Sequence, residues 1–178
     1  MAIMLSKFIN KITRSSFPVH HGLRPSSNDI QFFAEVPSSR VVLVEVPWVE
    51  TIREWSAVGA RLQATLAQRF NGAKVIGIIY LHKISDIRLT EVLQDHHKVF
   101  ALLCPRHKKN LVFLTTMWDI TPKYLADPRE ARLRTAYWRE SLASGAIMER
   151  YIGESSAGTR AIRHIAEKAK VPLAFAGK

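Results

Sequence analysis

The chain has 178 residues, of which 47% are hydrophobic and 23% charged, a composition typical of a single globular domain with its own core. Its one cysteine, Cys104, excludes an internal disulfide and favours a reducing compartment, so we expect a cytoplasmic protein, with the nucleus as the other location. No apolar run approaches the roughly 18 residues of a membrane-spanning helix, and we expect no transmembrane segment.

The charge of the chain is strongly positive. Twenty-six lysines and arginines against fifteen aspartates and glutamates leave a net charge of +11, which attracts nucleic acid, anionic membrane or an acidic partner. The basic residues are scattered along the chain, as on a solvated surface, and they carry no RNA-recognition signature and no zinc-finger spacing. Binding to nucleic acid or to an anionic membrane is therefore an alternative and not the first interpretation.

In chain order the pattern first predicts a short helix over Met4–Thr13 and an edge strand over Asp29–Val36. Four further apolar runs predict strands, and the first three lack polar alternation, which is typical of parallel strands covered on both faces. These runs are Arg40–Val46, Val75–Leu81, Leu111–Thr116 and, with a weaker pattern, Ala146–Ile152.

Segments of helical period alternate with these strands. They are Thr51–Phe70, which Asn71 and Gly72 end, then Arg88–Cys104, a helix from Pro128 to about Ala143, and one from Ser156 or Thr159 to Lys170. Repeated strand–helix units imply an α/β fold with a parallel sheet and right-handed crossovers. No linker divides the chain, so we expect one domain over residues 1–178, with residues 1–39 preceding the strand–helix units of residues 40–178.

Several phrases stand in the order found in a known group of proteins. IYLHKISDIRL (Ile79–Leu89) followed by TTMWD (Thr115–Asp119) resembles the G domains of fungal GTPase-like proteins, within the septin-like and immunity-associated GTPase class. VVLVEVPWVE precedes them, YWRESLASGAIMERYIGESSAGTRAI follows, and SKFINKI (Ser6–Ile12) is similar to the helix after a phosphate-binding loop. The resemblance covers nearly the whole chain and implies a three-layer, P-loop-NTPase-like fold with helices on both faces of the sheet.

The resemblance implies a guanine-reading position at the end of the third apolar strand. The stretch from Thr116 to Asp119 stands where the family's motif reads the base, and the Asp119 carboxylate would accept hydrogen bonds from guanine N1–H and the 2-amino group. Met117 replaces the lysine whose stem stacks on the base, so an apolar thioether stands there without a cation. The alternative is that Asp119 caps the turn ahead of Thr121 and Pro122.

The same comparison predicts that the phosphate-binding end is lost. A working loop reads G-x-x-x-x-G-K-[ST] directly after a strand. When SKFINKI is aligned with the helix after this motif, Ser6 takes the position of the Ser/Thr hydroxyl, Leu5 that of the lysine and Met4 that of the last glycine. We therefore expect the first strand and the loop to be missing. Without them several charge-assisted hydrogen bonds to phosphate, of about 1.5–3 kcal/mol each, are lost.

Two further positions of the resemblance concern magnesium. Glu45 stands where the family has the aspartate that contacts the ion through water, and Trp48 stands where it has a glycine beside the γ-phosphate. Ser27 falls near the threonine that completes the magnesium shell. The vestigial nucleotide-binding set is therefore Thr116, Asp119, Ser6, Ser27 and Glu45, with no catalytic and no metal residue, and GTP or GDP with magnesium is at most a weak ligand.

Other polar residues have simpler explanations. His96, His97, Cys104 and His107 match no standard zinc spacing, and Cys104 is better explained as a small core residue than as a nucleophile. A polar group follows the second apolar run, and it could position a ligand or partner or simply cap the following helix. Its members are His82, Lys83, Ser85, Asp86 and Arg88.

These observations favour a degenerate G domain that does not hydrolyse GTP, binds guanine nucleotide weakly or not at all, and acts through protein contacts. Loss of the central first strand would expose sheet edges, so we expect a protein partner or a homo-oligomer to cover them, unless the two flanking strands pair directly. The alternatives are a truncated form of a true GTP-binding GTPase, and a basic module that binds nucleic acid or anionic membrane.

Overall fold

The computed structural model describes residues 2–14, 16, 33–36, 39, 41–46, 52–71, 73–86, 100, 103, 104 and 109–173. Contacts within the chain divide it into two units, one of Met1–Lys74 with Val171–Lys178 and one of Val75–Lys170. The division was not predicted, because no change in composition marks it. No helix in these ranges is both long and apolar enough to cross a membrane.

The first unit holds two helices and a short hairpin. In chain order these are α1 (Ala2–Thr13), β1 (Phe33–Glu35), β2 (Val42–Val44) and α2 (Ile52–Arg69). β1 and β2 are antiparallel, with Phe33 opposite Val44, so the described partner of β2 is not the parallel neighbour that its apolar composition predicted. A bridge between Ser39 and Leu173 adds the end of the chain to this unit.

The two helices of this unit each bury apolar side chains, and for α2 the sequence period predicted the buried face. On α1 the buried side chains are Phe8, Ile9 and Ile12, and on α2 they are Trp55, Val58, Leu62 and Leu66. α2 ends where expected, with Asn71 in the left-handed region at φ 49°, while Gly72 lies outside the described residues. The predicted strand over Asp29–Val36 is described only from residue 33 onward.

The second unit is built on a parallel sheet of three strands in the order β3 (Ile78–Lys83), β4 (Leu111–Thr116) and β5 (Ile147–Arg150). Ile78 lies opposite Leu111, and Val112 opposite Ile147. β4 has a strand on each side, and every one of its residues is buried. This confirms the sequence prediction of a parallel sheet and of Leu111–Thr116 as a parallel strand covered on both faces, while its central position was not predicted.

β3 begins three residues later than its apolar run, at Ile78 instead of Val75. The reason lies in its partner, since the Ile78 amide donates to the Asn110 carbonyl at 2.9 Å, just ahead of the first residue of β4. The carbonyls before this point bond side chains, with Asn110 Nδ2 donating to Ile76 at 2.6 Å and the buried Cys104 thiol to Val75 at 3.5 Å. Pairing, not hydrophobicity, therefore decides where β3 starts.

Between β4 and β5 the chain forms a helical segment with three parts. α3 (Lys123–Arg132) passes into a π-helical turn at Leu133–Tyr137, and α4 (Arg139–Ala143) follows. The prediction that Pro128 begins the helix is wrong, because α3 begins at Lys123 and Pro128 lies inside it. A proline has no N–H, so Pro128 cannot donate to the carbonyl one turn earlier.

The core of the second unit lies between the sheet and this helical segment. Phe113 of β4 stacks on Trp138 with ring centroids 4.1 Å apart and planes within 9°. The other buried members are Ile84, Phe100, Leu111, Ala126, Leu133, Ala146 and Met148. Phe100 belongs to the predicted helix over Arg88–Cys104, most of which lies outside the described residues.

The last helix, α5 (Ser155–Ala169), agrees with its prediction. Ile162, Ile165 and Ala166 are buried, and Lys170 ends the helix in the left-handed region at φ 58°. Ile165 packs so close to Gly77 that a side chain there would collide with it.

Candidate functional site

The carboxyl ends of parallel strands meet at one edge of a sheet, where α/β proteins usually bind ligands. At this edge of the second unit, β4 passes into a turn in which Met117 adopts φ 62°. The Thr121 hydroxyl donates to the Met117 carbonyl at 2.6 Å and closes the turn. The turn carries Trp118 and Asp119 between these two residues.

Trp118 is held back against the end of its own strand. Its Nε1 donates to the Thr115 carbonyl at 3.1 Å and to the Thr115 hydroxyl at 3.0 Å. Its ring packs against the core, and the guanidinium of Arg150 lies over the ring at 4.0 Å from the centroid. The indole is thereby fixed between the core and a cation.

Arg150 is the last residue of β5, and two carboxylates of α3 orient it. Its Nε donates to both Glu130 oxygens at 3.0 and 3.1 Å, and its Nη2 donates to Asp127 at 3.2 Å and also to Glu130. The hydrogen bonds to Glu130 raise the pKa of Arg150 above its ordinary value, although partial burial acts against them. The guanidinium is therefore permanently charged and held in one plane.

Asp119 is exposed on the same turn, and among the described residues its side chain makes no hydrogen bond or ion pair. In the described part of the chain no hydrogen bond shows Asp119 capping the turn ahead of Thr121 and Pro122, a turn that the Thr121 hydroxyl closes. The carboxylate is therefore available to an external donor at the carboxyl edge of the sheet.

Thr116, predicted to belong to the same motif, is used inside the sheet. It is 1% exposed, and its hydroxyl donates to the His82 carbonyl of β3 at 3.1 Å. Thr116 thus ties two strands together and does not reach the surface beside Asp119.

The remaining members of the predicted nucleotide-binding set belong to the first unit. Ser6 lies within α1, and Glu45 is a buried residue just after β2. Ser27 lies outside the described residues, as does Trp48. The described part of the chain therefore shows one predicted site residue, Asp119, exposed at the sheet edge.

The polar group predicted after β3 is partly structural. His82 lies within β3, is 7% exposed, and packs edge-on against Trp138 at 5.6 Å. Burial lowers its pKa from 6.5 to about 4, although nearby Asp86 acts in the opposite direction. Burial likewise raises the pKa of Tyr80 well above its ordinary value. His82 is therefore a neutral core residue near pH 7, while Arg88 lies outside the described residues.

Arg129 closes the carboxyl end of β3. Its Nη1 donates to the carbonyls of Ile84 and Ser85 at 3.0 and 3.1 Å. These are backbone acceptors that the strand leaves unpaired where it ends, so the arginine fixes the edge of the sheet from α3.

Sequence reasoning missed Arg150 and its partners Asp127 and Glu130. The available signal was a charged residue in the second half of the run AIMERYI, where a strand reaches the ligand-binding edge. The signal did not identify the partners, because they lie on a helix whose start was misplaced.

No group of three or more histidine, cysteine, aspartate or glutamate side chains in the described ranges could hold a metal ion. His96, His97 and His107 fall outside those ranges, and Cys104 is buried as the sequence predicted.

Comparison of this chain with protein-family models, with curated proteins and with solved structures finds no match. The resemblance to GTPase-like G domains therefore stays a prediction from the phrases that carry it. The observed class is a mixed α/β chain whose small parallel sheet is flanked by helices, a layout compatible with that prediction.

Proposed function

We propose that this chain is a degenerate G-domain-like module that contacts a guanine base weakly through Asp119, does not hydrolyse GTP, and acts through protein contacts. One observation carries the proposal. An unpaired, exposed carboxylate follows the central strand of a parallel sheet at its carboxyl edge, the position that the resemblance assigns to guanine recognition.

The chemistry of guanine fits a lone carboxylate. Guanine presents two neighbouring donors, N1–H and the 2-amino group, while adenine presents an acceptor at N1. The Asp119 oxygens can accept from both guanine donors, and hydrogen bonds to a charged acceptor are worth about 1.5–3 kcal/mol. Guanine over adenine is therefore the expected selectivity.

The absence of hydrolysis rests on the sequence. Leu5 stands where the resemblance has the phosphate-binding lysine, and an isobutyl side chain offers neither charge nor donor to a phosphate. Efficient hydrolysis needs that positive charge on the transferred phosphoryl group.

Protein contact is supported by apolar side chains near the same edge. Ile120 and Tyr124 lie in and after the turn, and Ile152 follows β5; they are 67%, 76% and 64% exposed. Contiguous exposed apolar side chains are a feature of interaction surfaces, and Ile120 and Ile152 follow the carboxyl ends of the paired strands β4 and β5.

Calorimetric titration with GDP and ADP tests the base-reading part. We expect GDP to bind in the high micromolar to millimolar range and to bind more tightly than ADP, with the preference abolished by Asp119→Ala. Glu167→Gln removes an exposed carboxylate of α5, away from the edge, and is the matched control. An Asp119→Ala protein that keeps the preference would overturn the assignment. Tight, magnesium-dependent binding of GTP would instead favour the truncated GTPase. Binding of RNA or lipid that weakens with added salt would favour the basic module.

A further inference from the structure

The guanidinium of Arg150 is a flat surface with defined sides. Its Nε and Nη2 donate in the plane to Glu130 and Asp127, so carboxylates occupy these edges. Its Cζ lies over the Trp118 ring, 4.0 Å from the ring centroid. With 46% of the side chain exposed, part of Arg150 remains accessible to solvent.

Such a surface is suited to a planar ring. Nucleobases stack on arginine guanidinium planes as well as on aromatic side chains, and the indole beneath Arg150 keeps the plane from rotating. Asp119 follows Trp118 directly, so the two Cα atoms are about 3.8 Å apart. A base stacked on Arg150 would therefore lie at the same edge of the sheet as the turn with the exposed Asp119 carboxylate.

Arg150 has little charge to offer a phosphate. Asp127 and Glu130 pair with it directly, and Asp119 adds a third carboxylate to the same edge. Arg129, a further cation at this edge, is engaged by the backbone carbonyls after β3. A phosphate beside Arg150 therefore gains little attraction from it, even though the whole chain carries a net charge of +11.

We propose that Arg150, mounted on Trp118, is the stacking platform for the guanine base, in place of the lysine stem that Met117 cannot supply, and that the site recognises the base and not its phosphates. This inference rests on the proposed contact between Asp119 and guanine. The ligands assigned to this site are guanine nucleosides, and added phosphates contribute little to their affinity.

Titration of the isotopically labelled protein with guanosine, GMP, GTP and adenosine, followed by NMR at the indole N–H of Trp118, tests the platform. Trp118→Phe assigns the indole signal, and Arg150→Lys keeps the charge while removing the plane. Arg160→Lys is the matched control. Like Arg150, Arg160 is an exposed arginine in an ion pair, and its partner is Glu149 of β5 at 2.8 Å.

We expect guanosine to shift the Trp118 signal and Arg150→Lys to weaken guanosine binding at least about fivefold, the low end of measured base-stacking effects. Arg160→Lys should bind as the parent does, and the preference for guanosine over adenosine should persist in Arg150→Lys because Asp119 is intact. The affinities for GMP and GTP should lie within about tenfold of the affinity for guanosine. A difference of that size is smaller than the contribution of one charge-assisted hydrogen bond to phosphate.

The possible failures are distinguishable. Wild-type affinity in Arg150→Lys, or guanosine binding without a shift of the Trp118 signal, would overturn the platform and leave the Asp119 contact standing. GTP binding more than about a hundredfold tighter than guanosine would overturn recognition of the base alone. No guanosine binding by the parent protein up to the solubility limit would overturn both proposals.

Discussion

The guanidinium of Arg150 lies 4.0 Å from the ring centroid of Trp118, which joins the end of β5 to the turn after β4. The guanidinium forms ion pairs with carboxylates of α3, and the indole N–H donates a hydrogen bond to Thr115. A strand end, a turn and a helix are thus connected through two side chains at the edge where a ligand would bind.

A double-mutant cycle measures this contact. We expect Arg150→Gln and Trp118→Leu to be coupled by about 0.5–1 kcal/mol in the free energy of unfolding, the range of cation–π pairs at exposed sites. Urea denaturation of the parent, the single variants and the double variant gives the coupling. Additive effects within experimental error would contradict an energetically significant stack.

His82 makes stability depend on pH. Its pKa is lowered from 6.5 to about 4, so the unfolded chain binds a proton between these values while the folded chain does not. Stability is therefore fully present above pH 6.5 and falls as the pH drops towards 4, by roughly 3 kcal/mol from this group. Urea midpoints between pH 4 and pH 8 test this.

Carboxylates also titrate at the acid end of that range, so the control is a variant without the imidazole. His82→Phe keeps an aromatic ring beside Trp138 and should show a flatter profile than the parent protein between pH 5 and pH 7. Parallel profiles would show that His82 is not the titrating group.

Gly77 cannot accept a side chain. A Cβ atom there would lie 2.7 Å from the Asn110 carbonyl oxygen and closer still to Ile165 Cγ2. We expect Gly77→Ala to cost about 1–3 kcal/mol, the usual range for overpacking. In an Ile165→Ala background the added cost should be smaller but not zero, because the carbonyl remains. An equal cost in both backgrounds would exclude Ile165 as the obstacle.

Arg129 donates to two backbone carbonyls after β3, so its removal leaves both without that donor. We expect Arg129→Met, which keeps most of the apolar stem, to cost about 1–3 kcal/mol in thermal or urea unfolding. Arg134→Met removes an exposed arginine from the adjoining π-helical turn and should change stability by less than about 0.5 kcal/mol. Equal effects would mean that net charge, not the backbone contact, is responsible.

Elements with an unbroken pattern were predicted well. α2 and α5 have apolar residues at helical spacing and clear ends, and β4 is a continuous apolar run bounded by polar residues. The starts of β3 and α3 were not predicted correctly. The first is decided by pairing with Asn110, and the second begins ahead of Pro128, a residue that usually marks a first turn.

The candidate site divides in the same way. The chain order of TTMWD after an apolar strand was enough to place Asp119 at the carboxyl edge of the sheet. Whether its carboxylate caps the turn or faces solvent, and whether Thr116 is accessible, depend on hydrogen bonds that only the folded turn and sheet define.

The sequence by itself determined the apolar and helical periods, and hence the parallel sheet and the position of Asp119 after one of its strands, because side-chain burial follows local periodicity. Only the tertiary structure decided that Arg150 lies on Trp118, because the contact joins residues far apart in the chain. It holds because α3 brings Asp127 and Glu130 to the guanidinium at the edge where β4 and β5 end.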